Sequence, residues 1–425
     1  MKKEMLPKNT KIAIIGAGPS GIYAASKLID EGYKQVTVFE KNDYIGGKAC
    51  TTQRGTDMGA MHFTYPFPKT KVLKVSDSLG IKTKTFKSSP LDAEEKGVID
   101  RFKGYYHLAV EAIEYLYHRK RKWQDANAEF GEVTPELHES WDKLMDTHHL
   151  KSFERAATIG TEGCGYTPTA PALYHVHHIN PIQVYWGPLF PLGAWVGGVQ
   201  QIWEKLAKKK KINVLLNSNI TSINRKKGIT IKTKKETHTF DELILACNPK
   251  DILPVLDATK EEKDLFSQII TNDYRVYEVT VSGAEAEEEG AKYFSKTIFD
   301  RTKNHPTCFV KRDKDTDIVT VYVSPSKNAS DELIIKNVKN DLKKVGVTLL
   351  KVLSTKHWQH FPHVNKASLD NNFYKKLAAW QGKNNTQGTG AVFTFDLMDF
   401  VTNHAAHMVE KFIHNELPSS GVRTF

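Results

Sequence analysis

The stretch Lys11-Ile-Ala-Ile-Ile-Gly16-Ala-Gly18-Pro-Ser-Gly21, read with Val36-Thr-Val-Phe-Glu40, decides the fold. Alternating Ile and Ala form a short strand that runs into a G-x-G-x-x-G turn, and a helix opens at Pro19-Ser20-Gly21. An acid, Glu40, ends the next strand about 20 residues beyond the third glycine. Strand, turn, helix and acid in this order form a dinucleotide-binding βαβ unit. Gly16 permits the tight turn, Gly18 leaves room for a pyrophosphate to reach backbone N–H groups, and Gly21 lets helix and strand pack closely. Glu40 is positioned to accept hydrogen bonds from ribose hydroxyls.

Around this unit lies a chain of 425 residues, enough for two or three domains. Its 40% hydrophobic and 26% charged residues are ordinary for a globular protein. No apolar run approaches a membrane span and no charged-then-apolar leader is seen, so the protein is expected in the cytoplasm. Cys50, Cys164, Cys247 and Cys308 are scattered without C-x-x-C spacing, which fits reduced thiols and argues against a disulfide framework or a zinc site. The net charge of +11 concentrates in His118-Arg-Lys-Arg-Lys122 and Lys208-Lys-Lys-Lys211. The second cluster ends a helix over Gln200–Lys208, where cations favour the dipole. The first follows an amphipathic stretch, Tyr105–Tyr117, and suits contact with a membrane surface. No nucleic-acid motif accompanies either.

Asp43-Tyr-Ile-Gly46-Gly47-Lys48 supplies a glycine pair and a cation for a second anionic feature, and Asp57-Met58-Gly59-Ala60-Met61-His62 is a small-residue turn suited to a flat ring. Residues 70–191 read as helical and aromatic, with helices over Ala109–His118 and Pro135–Thr147. Strands are predicted at Ile212–Leu216, Ile220–Asn224, Ile229–Thr233 and Glu242–Cys247, then at Tyr274–Ser282, Cys308–Arg312 and Ile318–Val323, with a helix over Glu332–Lys344. A turn-rich segment, Gln381 to Ala391, feeds a helix over Asp399–Asn415, which would bring the C-terminus to the cofactor.

The order of these motifs resembles the flavin amine oxidase and phytoene desaturase superfamily, and within it the bacterial FAD-dependent polyunsaturated fatty acid isomerases. The closer likeness is carried by Ile12-Ala-Ile-Ile-Gly-Ala-Gly-Pro, Gly46-Gly-Lys, Met58-Gly-Ala, Asp125-Ala-Asn127, Gly165-Tyr166, Trp358, Phe361-Pro-His-Val364 and Gln381-Gly-x-x-Asn385-Thr386, and it runs from about residue 10 to residue 413. The resemblance implies a mixed α/β fold: a Rossmann-like FAD-binding domain (1–72, 193–255 and 380–425), a helical cap (73–192) and a mixed-sheet substrate domain (256–379). It also implies non-covalently bound FAD, with Gly16, Gly18, Ser20 and Gly21 at the pyrophosphate, Glu40 and Lys41 at the ribose end, and Gly47 and Lys48 on the phosphate and ribityl side. Ala60 and Met61 would lie beside the isoalloxazine ring, Ile220 beside the adenine, and Gly390 and Ala391 in the closing C-terminal loop. Here the chain departs from the family, which usually has an acid after that glycine. Losing one such hydrogen bond costs roughly 1–3 kcal/mol of cofactor affinity.

The implied reaction moves double bonds: oxidised flavin takes hydride from an allylic carbon and returns it elsewhere, so the protein mainly orients substrate and excludes water. Aromatic faces suit a cationic intermediate. Candidates for such a lining are Phe63, Tyr166, Tyr185, Trp186, Trp195, Phe393 and Phe395, the last two at period-two spacing after the cofactor loop, with His62 beside the ring. The resemblance also implies a long apolar tunnel reaching the flavin, and Lys87 or Arg101 would hold a substrate carboxylate at its mouth. His175-Val-His177-His178, His360 and His363 match no familiar metal-ligand spacing. Two other readings stay open: an amine oxidase or desaturase of the same fold, and a catalytically silent flavoprotein.

Overall fold

The computed structural model describes residues 5–60, 62–64, 69–91, 98–123, 133–181, 184, 191–414 and 416. A five-stranded parallel sheet runs edge to edge through Thr386–Gly388, Glu242–Leu245, Ile12–Ile15, Val36–Phe39 and Asn213–Leu215. Ile12 pairs with Glu242 on one side and Val36 on the other, so the first strand is central. Both its faces are covered, as a parallel strand requires. Ile12 and Ile14 join a core with Leu28, Trp203 and Met408 from the helices Pro19–Asp30, Gln200–Lys209 and Met398–Ile413. Ala13 and Ile15 join the opposite core with Ile231 and Phe240, from a three-stranded antiparallel sheet of Ile220–Asn224, Ile229–Thr233 and Thr237–Phe240.

An eight-stranded sheet forms the second layer, in the order Thr348–His363, Ile270–Ser282, Ile318–Val323, Pro306–Lys311, Gly290–Tyr293, Thr83–Pro90, Leu192–Trp195 and Phe63–Thr64. Its first two strands pair over most of their length, and the register slips between Ile270 and Asn272, opposite His363 and His360. Among the described residues no helix is long and apolar enough to cross a membrane.

Several expectations need correction. The range 73–192 is not wholly a helical cap, because Thr83–Pro90 pairs in parallel with Gly290–Tyr293 and ties this segment to the large sheet. The helix expected over Pro135–Thr147 is two pieces, a 3-10 turn at Pro135–His138 and a helix at Trp141–Thr147. Between them the chain stays extended, because Glu139 O accepts from Ala172 N–H at 2.7 Å and Ser140 bridges Pro171. The helix expected over Ala109–His118 runs from Val98 to Arg121. Of the cluster 118–122, His118 and Arg119 are buried, and Arg119 Nε donates to Val176 O at 3.1 Å; only Lys120, Arg121 and Lys122 are exposed. The other basic cluster is tied down locally: Lys210 pairs with Asp30, and Lys209 Nζ donates to Ser78 O at 3.0 Å.

Candidate functional site

Three distant segments meet at the N-terminus of the helix Pro19–Asp30. Gly16 takes φ 107°, and a Cβ there would sit 3.1 Å from Ala246 O on the neighbouring strand's exit. At Gly21 a Cβ would stand 2.0 Å from Gly16 O, so helix and turn approach as closely as backbone allows. Gly18 differs: a Cβ there would find nothing nearer than Gly47 Cα at 4.0 Å, so no protein contact explains the glycine. The helix behind it has no side-chain cap, which leaves N–H groups and the positive dipole end for an anion. Gly46 N–H donates to Ala17 O at 2.9 Å and Gly47 takes φ 56°, which brings the second glycine pair alongside. The C-terminal loop closes the third side. Ser20 Oγ donates to Thr389 Oγ1 at 2.9 Å, and a Cβ at Gly390 would lie 3.8 Å from Ser20 Oγ. Ala391 follows at the start of a 3-10 turn, Ala391–Phe393. The open space at Gly18 and the uncapped helix fit a dinucleotide pyrophosphate.

Glu40 lies at the carboxyl end of Val36–Phe39, where ligands bind in open parallel sheets. It is buried, and its Oε2 accepts from Ala17 N–H at 2.8 Å while Oε1 accepts from Asn42 N–H at 2.9 Å. These bonds fix the carboxylate beside the glycine turn with lone pairs to spare. Lys41 next to it is exposed. Asn217 N–H donates to Asn42 O at 2.9 Å and Ser218 N–H to Glu40 O at 2.8 Å, which sets Ile220 at the same edge.

The turn at 57–60 is fixed by burial. Asp57 is fully buried; its Oδ1 accepts from Thr51 Oγ1 at 2.6 Å and from Val199 N–H at 2.9 Å, and its Oδ2 lies 3.1 Å from Arg312. Burial raises the Asp57 pKa, with Arg312 opposing the rise. A Cβ at Gly59 would stand 1.9 Å from Lys48 O, and Ala60 N–H donates to the same oxygen at 3.0 Å, so turn and Lys48 backbone are pressed together. The Lys48 ammonium reaches the other way and pairs with Asp396, a residue that sequence reasoning missed. Asp396 Oδ2 also accepts from Phe361 N–H at 2.8 Å and lies 3.3 Å from His360 Nδ1. Burial opposes its ionisation, but Lys48 and His360 hold its carboxyl well below the usual carboxylate range. The one available signal was an acid directly after Phe393-Thr-Phe395 in an apolar run; its partners are more than 30 residues away in the sequence.

Beside this pair sits a wall rich in aromatic rings and histidines. The Tyr166 ring lies 5.1 Å from Phe395, 5.3 Å from His178, 5.1 Å from His360 and 5.0 Å from Phe361. Phe395 stacks on His178 at 5.2 Å, and His360 stacks on Tyr274 at 5.0 Å. Gly165, at φ 88°, makes this possible, since a Cβ there would stand 2.7 Å from the Tyr274 ring. Phe361 takes φ 52°, an uncommon conformation for a bulky residue, where the strand pairing slips. That kink turns His360 and Phe361 toward Tyr166 and Asp396. Burial, with Arg312 and His178 nearby, pulls the His62 pKa down to about 3, and burial with His177 pulls His178 down to about 4. Both imidazoles are therefore neutral near pH 7. Among the described residues His62 Nδ1, His178 Nδ1, His360 Nε2 and Tyr274 OH have no hydrogen-bond partner.

Phe393 does not join this group. The segment Ala391–Phe393 is a 3-10 turn rather than a strand, so period-two spacing fails, and the ring packs 6.1 Å from Trp380 and 5.7 Å from His404. Phe63 and Trp195 pack on each other at 4.7 Å, in the core on the side of the helix Gln200–Lys209. Lys87 is exposed on Thr83–Pro90. Met61, Asp125–Asn127, Tyr185, Trp186 and the Arg101 side chain lie outside the described residues. His175 stacks on Trp141 at 5.1 Å and His363 on Phe361 at 4.4 Å, both as packing elements.

The fold and the sequence are similar to those of several known proteins. A 1-hydroxycarotenoid 3,4-desaturase of Flavobacterium sp. (strain P99-3) is 28% identical over 300 residues, 57% of this chain and 57% of that protein. The FAD-dependent oxidoreductase oblC of Cochliobolus heterostrophus is 23% identical over 434 residues, 90% of this chain and 86% of that one. Among solved structures, the CLA-producing fatty acid isomerase from P. acnes superposes with a TM-score of 0.88 at 22% identity, covering 96% of this chain and 99% of that one. Putrescine oxidase bound to putrescine gives 0.69 at 14% identity, covering 95% and 99%. Residues 19–374 match the profile of flavin containing amine oxidoreductases, and the chain belongs to that family.

Proposed function

We propose that the protein is an isomerase that moves double bonds in polyunsaturated fatty acids, with FAD held non-covalently in the three-segment glycine cradle. Bound flavin supplies a hydride acceptor that also returns the hydride, so no external oxidant is needed. The observation that carries the reading is the wall around Tyr166 and Phe395: aromatic faces, imidazoles kept neutral by burial, and the charged pair Lys48–Asp396 neutralising itself. Such a wall orients an apolar chain, excludes water and offers ring faces to developing positive charge. No cationic acid or anionic base is needed beside the reacting carbon. The likeness in fold to a fatty acid isomerase over 96% of the chain supports this.

A second reading, an oxidoreductase acting on amines or desaturating its substrate, is favoured by the four unpartnered atoms on His62, His178, His360 and Tyr274. Those groups suit a substrate that carries a polar atom near the reacting carbon. Anaerobic incubation of the yellow protein with linoleic acid separates the two. Conjugated-diene absorbance arising without oxygen and without lasting loss of flavin colour supports the isomerase. Bleaching that only oxygen reverses, with linoleate or with an amine panel, overturns it in favour of the oxidoreductase.

A further inference from the structure

The helix Val98–Arg121 has one anchored face and one bare face. On the anchored side Tyr115 stacks on Phe153 at 4.3 Å and donates to Ile179 O at 2.8 Å, Glu111 accepts from Phe153 N–H at 2.8 Å, and Arg119 holds Val176 O. The opposite side carries Tyr106 at 69% exposed, Val110 at 45%, Ile113 at 67% and Tyr117 at 59%, with Tyr105, also 69% exposed, on its flank. Tyr106, Val110, Ile113 and Tyr117 follow the i, i+4, i+7, i+11 spacing of a single helix stripe. Of the eleven exposed large apolar side chains among the described residues, these five share one helix while the other six are scattered. Single exposed apolar residues need no explanation, but a continuous stripe does.

We infer that this stripe is a docking face for an anionic phospholipid bilayer, on which the helix lies flat. Its composition selects that occupant. Tyrosine, with an apolar ring and a polar tip, is the residue type that settles at the headgroup level of bilayers. Lys120, Arg121 and Lys122 are exposed at the end of the same helix, where they meet lipid phosphates. The exposed acid on the described part of the stripe is Glu114, which lies 3.7 Å from His118, and the whole chain carries a net charge of +11. A protein partner would demand matched shape; a bilayer demands only an apolar stripe with cations beside it. The inference does not depend on which reaction the site performs.

Co-sedimentation of the flavin-loaded protein with vesicles tests it without measuring activity. Vesicles of phosphatidylcholine with phosphatidylglycerol pellet the wild type, pure phosphatidylcholine pellets much less, and high salt weakens the binding. I113E/Y117E, both at exposed positions, lowers the bound-to-free ratio by about tenfold or more with unchanged melting temperature and flavin content. Should the glutamates disturb folding, I113S/Y117S gives the same direction with a smaller effect. Replacing Lys120, Arg121 and Lys122 by Gln removes the preference for phosphatidylglycerol. Equal pelleting of wild type and folded variants, no binding to either vesicle, or self-association in sedimentation velocity that I113E/Y117E abolishes would each overturn the proposal.

Discussion

On the proposed reading the glycine cradle and the Tyr166 wall serve one site, and they are built in opposite ways. The cradle is a local object: Gly16, Gly18 and Gly21 lie within six residues and act through backbone, so their spacing alone dictates the turn. The wall draws Tyr166, His178, His360, Phe361, Phe395 and Asp396 from three separate segments, and each acts through its side chain. A backbone device tolerates almost no change at its tight points. A side-chain device degrades by degrees.

Substitution at Gly21 breaks the first region most severely. Gly21→Val forces a Cβ to within 2.0 Å of Gly16 O, and the expected result is a loss of more than about 3 kcal/mol in denaturant unfolding together with colourless protein. Gly18→Ala sharpens the contrast, because its Cβ has no protein neighbour closer than 4.0 Å. The melting temperature of the flavin-free protein should stay put while FAD affinity falls about tenfold, since the methyl occupies the approach to the helix N-terminus. Unchanged affinity on titration with FAD would place the pyrophosphate elsewhere.

Acid next probes the packing behind the second region. His175 and His363 are buried, and burial lowers their pKa values to about 3 and about 4. Unfolded imidazoles titrate near 6.5, so between about 4 and about 6.5 the unfolded chain binds more protons than the folded one. Stability is therefore full above that window and falls as pH drops through it, by up to about 1.4 kcal/mol per pH unit for each imidazole. Thermal melts from pH 7 to pH 5 check this, and H175F or H363F should flatten the slope.

Asp396→Asn comes fourth. It removes the charge that faces Lys48 and His360 and costs about 1–3 kcal/mol, less toward Lys48, which is a third exposed at its side chain. If the pair neutralises the wall as argued, turnover falls more than stability does. The mildest pair of changes separates two aromatic residues two positions apart. Phe395→Leu should alter turnover because its ring meets Tyr166 and His178, whereas Phe393→Leu should cost about 1 kcal/mol of stability and leave turnover of the folded protein near wild type. A turnover loss at Phe393 equal to that at Phe395 would erase the distinction.

The two regions also differ in how far the sequence disclosed them. The strands Ile220–Asn224, Ile229–Thr233 and Ile318–Val323 lie where alternation predicts them, and the helix over Glu332–Lys344 lengthens only to Asp331. Each has a clear period and its own turn residues, so local preference and tertiary packing agree. Thr83–Pro90 was not legible, because Thr-Lys-Thr-Phe-Lys-Ser-Ser-Pro carries one apolar residue and becomes a strand only through its neighbours Gly290–Tyr293 and Leu192–Trp195. Pro135–Thr147 fooled the helical period because backbone hydrogen bonds to 171–172 hold its middle extended. Asp396 offered only its place as an acid in an apolar run, and its chemistry comes from Lys48, His360 and Phe361, which only folding brings near.

What the sequence by itself determined is the strand, glycine turn, helix start and acid of a dinucleotide-binding βαβ unit. Glycine freedom at positive φ, an uncapped helix start and an acid at a strand end are properties of a few consecutive residues, so they can be read before folding. What only the tertiary structure decided is the aromatic and histidine cluster around Tyr166, the proposed reacting end. There the aim of a side chain depends on a register slip at His360, a kink at Phe361 and a 3-10 turn that sends Phe393 into one core and leaves Phe395 facing Tyr166. Direction in space is set by the sum of many distant contacts, and no local spacing encodes it.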